Sequence, residues 1–132
     1  MMISRHNPPD APPVARYSQV VRVDLGIAAL LFVSGLVAVN GDGELVGRDD
    51  LAAQAGQVFA NLRAVLASEG AGLEHVVKRT TFLRDGGDPA VLRRLDPFDD
   101  SALPSATGVV VKALFHPDWL VEVEAVAVVP TA

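Results

Sequence analysis

The stretch "LPSATGVVVKALFHPDWLVEVEAVAVV", Leu103 to Val129, decides the reading of the fold. It predicts two strands, Ser105–Phe115 and Leu120–Val129, with His116, Pro117 and Asp118 turning the chain between them. β-Branched residues dominate both runs, and the turn formers sit between them. In the second run, Glu122 and Glu124 stand among valines and alanines. Residues two apart in a strand point the same way, so the carboxylates share a face, about 7 Å apart. Such a pair serves as a general acid or base in a pocket. Equally, it fits a solvated face, or ion pairs with Lys78, Arg79 or Lys112 on neighbouring strands. The first run opens on Pro104, Ser105, Ala106 and Thr107, with no charge among them.

Working outward, Tyr17–Asp24 has strand character, with Tyr17, Gln19, Val21 and Val23 on one face. Leu25–Ala29 forms a turn. Leu30–Ala38 is a second strand whose near-continuous apolarity predicts burial on both faces. Gly35 interrupts it, as glycine does at a bulge or a close approach. Asn40–Glu44 is a strong turn. Leu51, Ala55, Val58, Phe59, Leu62, Val65 and Leu66 then recur at helical spacing. Asp49 and Asp50 precede this helix, where its dipole favours anions, and Gly70 stops it. His75–Asp85 is a third strand. Asp88 caps a short second helix with Pro89 in its first position, and Pro97 ends it. Residues 1–14, with four prolines between Ile3 and Val14, form an extended arm.

The order is ββαβαββ, an α+β sheet with two helices on one face, in a single domain spanning residues 1–132. A sheet covered on one side keeps an apolar second face, which predicts a homo-oligomer. The net charge of −5 argues against nucleic acid and anionic membrane as partners. Leu25–Val39 is the most apolar run, but its 15 residues fall short of the roughly 20 a membrane span needs. The first 13 residues have no apolar core and do not make a secretory leader. The absence of cysteine excludes disulfides and thiolate chemistry and fits a reducing, cytoplasmic location. His6, His75 and His116 share no ligand spacing, so no metal site is expected. No nucleophile elbow or phosphate loop is present. Arg16 and Tyr17 fit either an anion clamp beside an aromatic wall or an exposed arginine and a half-buried tyrosine.

Four stretches, "YSQVV" (Tyr17–Val21), "LFVSGLV" (Leu31–Val37), "NLRAVLASEGAGLEHVVKRTTFL" (Asn61–Leu83) and "LVEVEAVAV" (Leu120–Val128), together resemble the RidA/YjgF, or L-PSP endoribonuclease-like, family. The resemblance implies a chorismate-mutase-like fold. It implies a homotrimer with its sheets in a central barrel, its helices outside and small-molecule clefts between subunits. The best-known members hydrolyse enamines and imines such as 2-aminoacrylate to keto acids and ammonia, without metal or cofactor. Others have been linked to RNA cleavage or to specialised metabolic steps. On this resemblance, Tyr17 is the cleft tyrosine, the Gly35 backbone lines the cleft, and Glu122 holds or activates a water. Glu124 is then structural.

The departures are specific. Deaminating members carry a carboxylate-binding arginine just after the proline of the fourth strand, where this chain has Ala106. Gly87 stands at a common loop asparagine, and Arg16 replaces a proline. A charge-assisted hydrogen bond contributes roughly 1.5–3 kcal/mol, so its absence should slow turnover of a 2-imino acid by about 10- to 100-fold. The remaining pocket is more apolar, with Thr107 and backbone N–H groups as polar contacts, Tyr17 and Phe98 as walls, and Arg16 as a cation from another direction. The expected function is hydrolysis of a non-standard enamine or imine, or a dedicated metabolic step. The alternative is a non-catalytic trimer that binds a metabolite or partner.

Overall fold

In the computed structural model, which describes residues 1–131, the expected strands form and a further one joins them. The strands are β1 (Met2–His6), β2 (Val20–Asp24), β3 (Ala28–Leu36), β4 (Val76–Arg84), β5 (Ser105–Val111) and β6 (Val121–Pro130). The helices are α1 (Leu51–Ser68) and α2 (Pro89–Leu95). One mixed sheet runs β1-β2-β3-β6-β4-β5. Every pairing is antiparallel except β4 with β5, which the α2 crossover joins in parallel. The two runs of the opening stretch are therefore not neighbours: β6 is central, and β5 lies at the edge.

Burial along β6 alternates with the pleat. Val121, Val123, Ala125, Ala127 and Val129 are buried, while Glu122, Val126 and Val128 are partly covered and Glu124 is exposed. The buried set joins Leu31 and Val33 of β3 and Val58, Leu62, Val65 and Leu66 of α1 in one core. Asp50 caps α1 by accepting from the Ala53 N–H at 3.0 Å, and Asp88 caps α2 by accepting from that of Ala90 at 2.9 Å. Gly70 takes φ +73°, the left-handed turn that ends the helical path.

Several boundaries differ from the sequence reading, each for a local reason. The N-terminal stretch is extended but not free, because Met2–His6 pairs along β2 and His6 bonds Glu69 at 2.8 Å. The first expected strand starts at Val20, since Tyr17–Gln19 serves the bulge described below. The fourth ends at Val111 because its only strand partner, β4, ends at Arg84. Phe32 of β3, expected to be buried, is 45% exposed: both helices lie on the other face, so the second apolar face is open in the single chain. Among the described residues, no helix is long and apolar enough to cross a membrane.

Candidate active site

The site begins at an irregularity in the central ladder. β3 and β6 pair in register from Ala28 to Val33, and the register shifts before Leu36 meets Val123. The bulge leaves Ser34 and Gly35 out of the regular pairing. The Ser34 N–H donates to the Gln19 carbonyl at 2.9 Å, and its hydroxyl donates to the Ser18 carbonyl. These two bonds hold the segment that carries Tyr17 against the bulge. Gly35 faces Glu122: a Cβ at position 35 would lie 2.8 Å from the Glu122 carboxyl carbon. The missing side chain is the space the carboxylate occupies.

Tyr17, Ser34, Gly35 and Glu122 line one cleft of about 550 Å³. Its remaining wall comes from Phe82 of β4, which lies opposite Glu122 in the ladder, and from Val111, Ala113, Leu114, Phe115 and Trp119. Burial pushes the Glu122 carboxyl above the usual range, and the negative charge of Glu124 adds to it. Burial likewise raises Tyr17, reinforced by Glu122, so its phenol stays protonated as a donor. Among the described residues, neither glutamate has an ion-pair partner. Lys78 instead donates to the Thr107 hydroxyl at 2.6 Å, and Arg79 pairs with Asp96. A proton-exchanging carboxyl beside a phenol in an apolar cleft can activate a water and return its proton to a leaving group.

The chain thus brings Tyr17, Gly35 and Glu122 together. The other candidates stand elsewhere in the single chain. Arg16 is exposed. Gly87 lies in the loop before α2, beside a separate hollow lined by Asp49, Arg84 and Asp85. Phe98 is buried in the core with the Arg79 guanidinium 4.8 Å over its ring. Ala106 and Thr107 are on the edge strand β5, opposite Arg79 and Thr80. Among the described residues, no group of three His, Cys, Asp or Glu is arranged to hold a metal ion.

Sequence reasoning missed several contributors, Trp119 and Phe115 of the cleft wall among them, and two show why. Phe82 enters through the β4–β6 register, which a single strand's pattern cannot show. Gln54, fully buried, donates to the carbonyls of Gly47 (3.0 Å) and Asp118 (2.9 Å) and accepts from the Leu120 N–H (2.9 Å). It ties α1 to the loop that leads into Glu122. A polar residue on the apolar stripe between Leu51 and Val58 was the available signal.

A six-stranded mixed sheet with two helices on one face is the Rid-like α+β fold. Yeast YEO7_yeast has this fold, with a TM-score of 0.85 at 30% identity over 96% of this chain and 98% of that one. Escherichia coli TdcF, solved with bound serine, matches with a TM-score of 0.79 at 29% identity over 95% and 98%. The family described as Endoribonuclease L-PSP matches residues 8–129, and this chain belongs to it, the RidA/YjgF family. A RutC family protein of Synechocystis is 37% identical over 90% of each chain. The 3-aminoacrylate deaminase RutC of Acinetobacter baylyi is 30% identical, covering 88% of this chain and 89% of its own. A 2-iminobutanoate/2-iminopropanoate deaminase of Dermatophagoides farinae is 31% identical, covering 89% and 88%.

Proposed function

We propose that the chain hydrolyses an enamine or imine to a carbonyl compound and ammonia, as a homotrimer with its clefts between subunits and with no cofactor. The observation that carries this reading is the half-buried Glu122 carboxyl, raised by burial and set between Gly35 and Tyr17. The deaminase names of two relatives support it. In the reaction, an enamine first takes a proton at carbon to become the iminium. Water adds to the iminium carbon while the Glu122 carboxylate takes a proton from it. That proton passes to nitrogen, the carbon–nitrogen bond breaks and ammonia leaves, and the hydroxyl gives up its remaining proton as the carbonyl forms, replacing the one the enamine took at carbon. Tyr17 donates a hydrogen bond to the developing hydroxyl or amine.

The chain is a divergent member, with Ala106 where deaminating relatives carry their arginine. In the trimer, the exposed β5 edge of one subunit supplies a wall to its neighbour's cleft, bringing Ala106 and Thr107 there. Ala106 and Thr107 offer no cation for a carboxylate, so ordinary 2-imino acids are turned over slowly. The test follows ammonia release from 2-aminoacrylate and other imines generated in place by an auxiliary enzyme. Glu122→Gln should reduce the rate to the uncatalysed one, and Ala106→Arg should raise it for 2-imino acids. Uncatalysed rates for every imine with wild type would overturn the reading in favour of a trimer that only binds a metabolite.

A further inference from the structure

We infer that the Glu122 cleft selects imines and enamines that carry an apolar aromatic group and no carboxylate. This inference rests on the hydrolytic reading above, and the makeup of the cleft wall carries it. Phe82, Phe115 and Trp119 line that wall beside Val111 and Leu114, and Glu122 is the one charged residue among the described residues lining it. Glu124 adds a second negative charge two residues along the same strand face. Lys112 lies in sequence between the lining residues Val111 and Ala113, but it is exposed and does not line the cleft.

A carboxylate entering this cleft would lose hydration and meet no cation among the residues of the same chain that line it, while standing beside like charge. An uncharged imine avoids that cost, and its protonated iminium form is drawn to Glu122. The aromatic preference follows from shape. Trp119 stacks on His116 with ring centroids 5.4 Å apart and 28° between planes, which fixes one wall. Phe115 is fully exposed at the lip, free to cover a bound ring. The matching reaction is R–CH2–CH=NH + H2O → R–CH2–CHO + NH3. The water oxygen bonds to carbon, the carbon–nitrogen bond breaks, both water protons end on nitrogen, and no oxidant or reductant is consumed. Oxidation of a hydrophobic primary amine at its carbon–nitrogen bond is the class of reaction that supplies such a substrate.

Two imines sharing a benzyl group test the inference with the full chain. One is 2-phenylethanimine, made in place from 2-phenylethylamine by a flavin amine oxidase. The other is 2-imino-3-phenylpropanoate, made from phenylalanine by a flavin amino-acid oxidase. Competition with a semicarbazide trap reads hydrolysis over the uncatalysed rate. The neutral imine should show kcat/KM at least about tenfold above its carboxylate twin. Phe115→Ala, at an exposed position that does not threaten folding, should lower the preference for 2-phenylethanimine over propanimine by about tenfold. A carboxylate twin turned over as fast or faster overturns this inference and leaves the hydrolytic reading standing. Its loss in Lys112→Ala or in Lys78→Ala, whose ammonium bonds Thr107, would then assign the carboxylate to that lysine. An unchanged aromatic preference in Phe115→Ala overturns the role of the aromatic wall. No acceleration of any imine, 2-aminoacrylate included, overturns both readings.

Discussion

Position 35 shows how tightly a single residue is matched to the carboxyl beside it. A methyl group there would displace the Glu122 carboxyl, the far end of a flexible side chain whose backbone alone the β6 ladder holds. Gly35→Ala should therefore cost no more than about 1 kcal/mol in urea unfolding, the low end of overpacking, because the carboxyl can turn aside. The same change in a Glu122→Ala background should cost clearly less, because the group it collides with is gone. Equal costs in both backgrounds would show that the two residues do not share this space. Glu122 also gives stability a pH dependence of definite sign. Its carboxyl is raised in the folded chain relative to the unfolded one, so folding favours the protonated form. The group's contribution is therefore fully present below the ordinary carboxyl range and is lost as pH rises through the raised value. Glu122→Gln should melt at a higher temperature than wild type at neutral pH, and the gap should close in acid. A gap that stays constant with pH would contradict the assigned cause.

At the scale of elements, α1 does more than cover the sheet. Through Gln54 it closes the hydrogen bonds of two loops, one around Gly47 and one from Asp118 to Leu120. Gln54→Leu keeps the volume but leaves two partly buried carbonyls and an N–H without their partner. The expected loss is about 2–4 kcal/mol by chemical denaturation, with weaker activity because the start of β6 loosens. A loss under about 0.5 kcal/mol, the size of an ordinary surface change, would show that water replaces the side chain. The elements were legible in the sequence where one residue's pattern sufficed: the α1 stripe from Leu51 to Leu66, the Asp88-Pro89 start of α2, and the alternation of β6. β1 was not, because Met2–His6 owes its strand state to pairing with β2 and carries little apolar alternation of its own. The cleft was legible at Tyr17, Gly35 and Glu122. Phe82 and Trp119 were visible only as apolar residues, since register and loop path place them at the cleft, and both are set by the whole sheet.

At the scale of the molecule, the proposed trimer rests on the sheet face away from the helices. Phe32 and Val77 are exposed there in the single chain, beside the partly covered Val126 and Val128. Covering such a face by copies of itself is the economical solution for a chain of this size. Light scattering should give three times the 13.9 kDa chain mass. Phe32→Glu should shift that mass toward the monomer while circular dichroism keeps the helix and strand signals. A monomeric wild type would remove the shared clefts and with them the proposed role of Ala106 and Thr107.

The position of β6 carries one more consequence. The last of the six strands in the chain is the one that joins the two halves of the sheet. During synthesis, β3 and β4 are therefore both made before the strand that pairs with each of them. Until Val121–Pro130 leaves the ribosome, two apolar strand edges stand unpaired, and such edges invite association with other nascent chains. The residues that complete the cleft with Glu122 are thus also the ones that end the chain's exposure to misassembly.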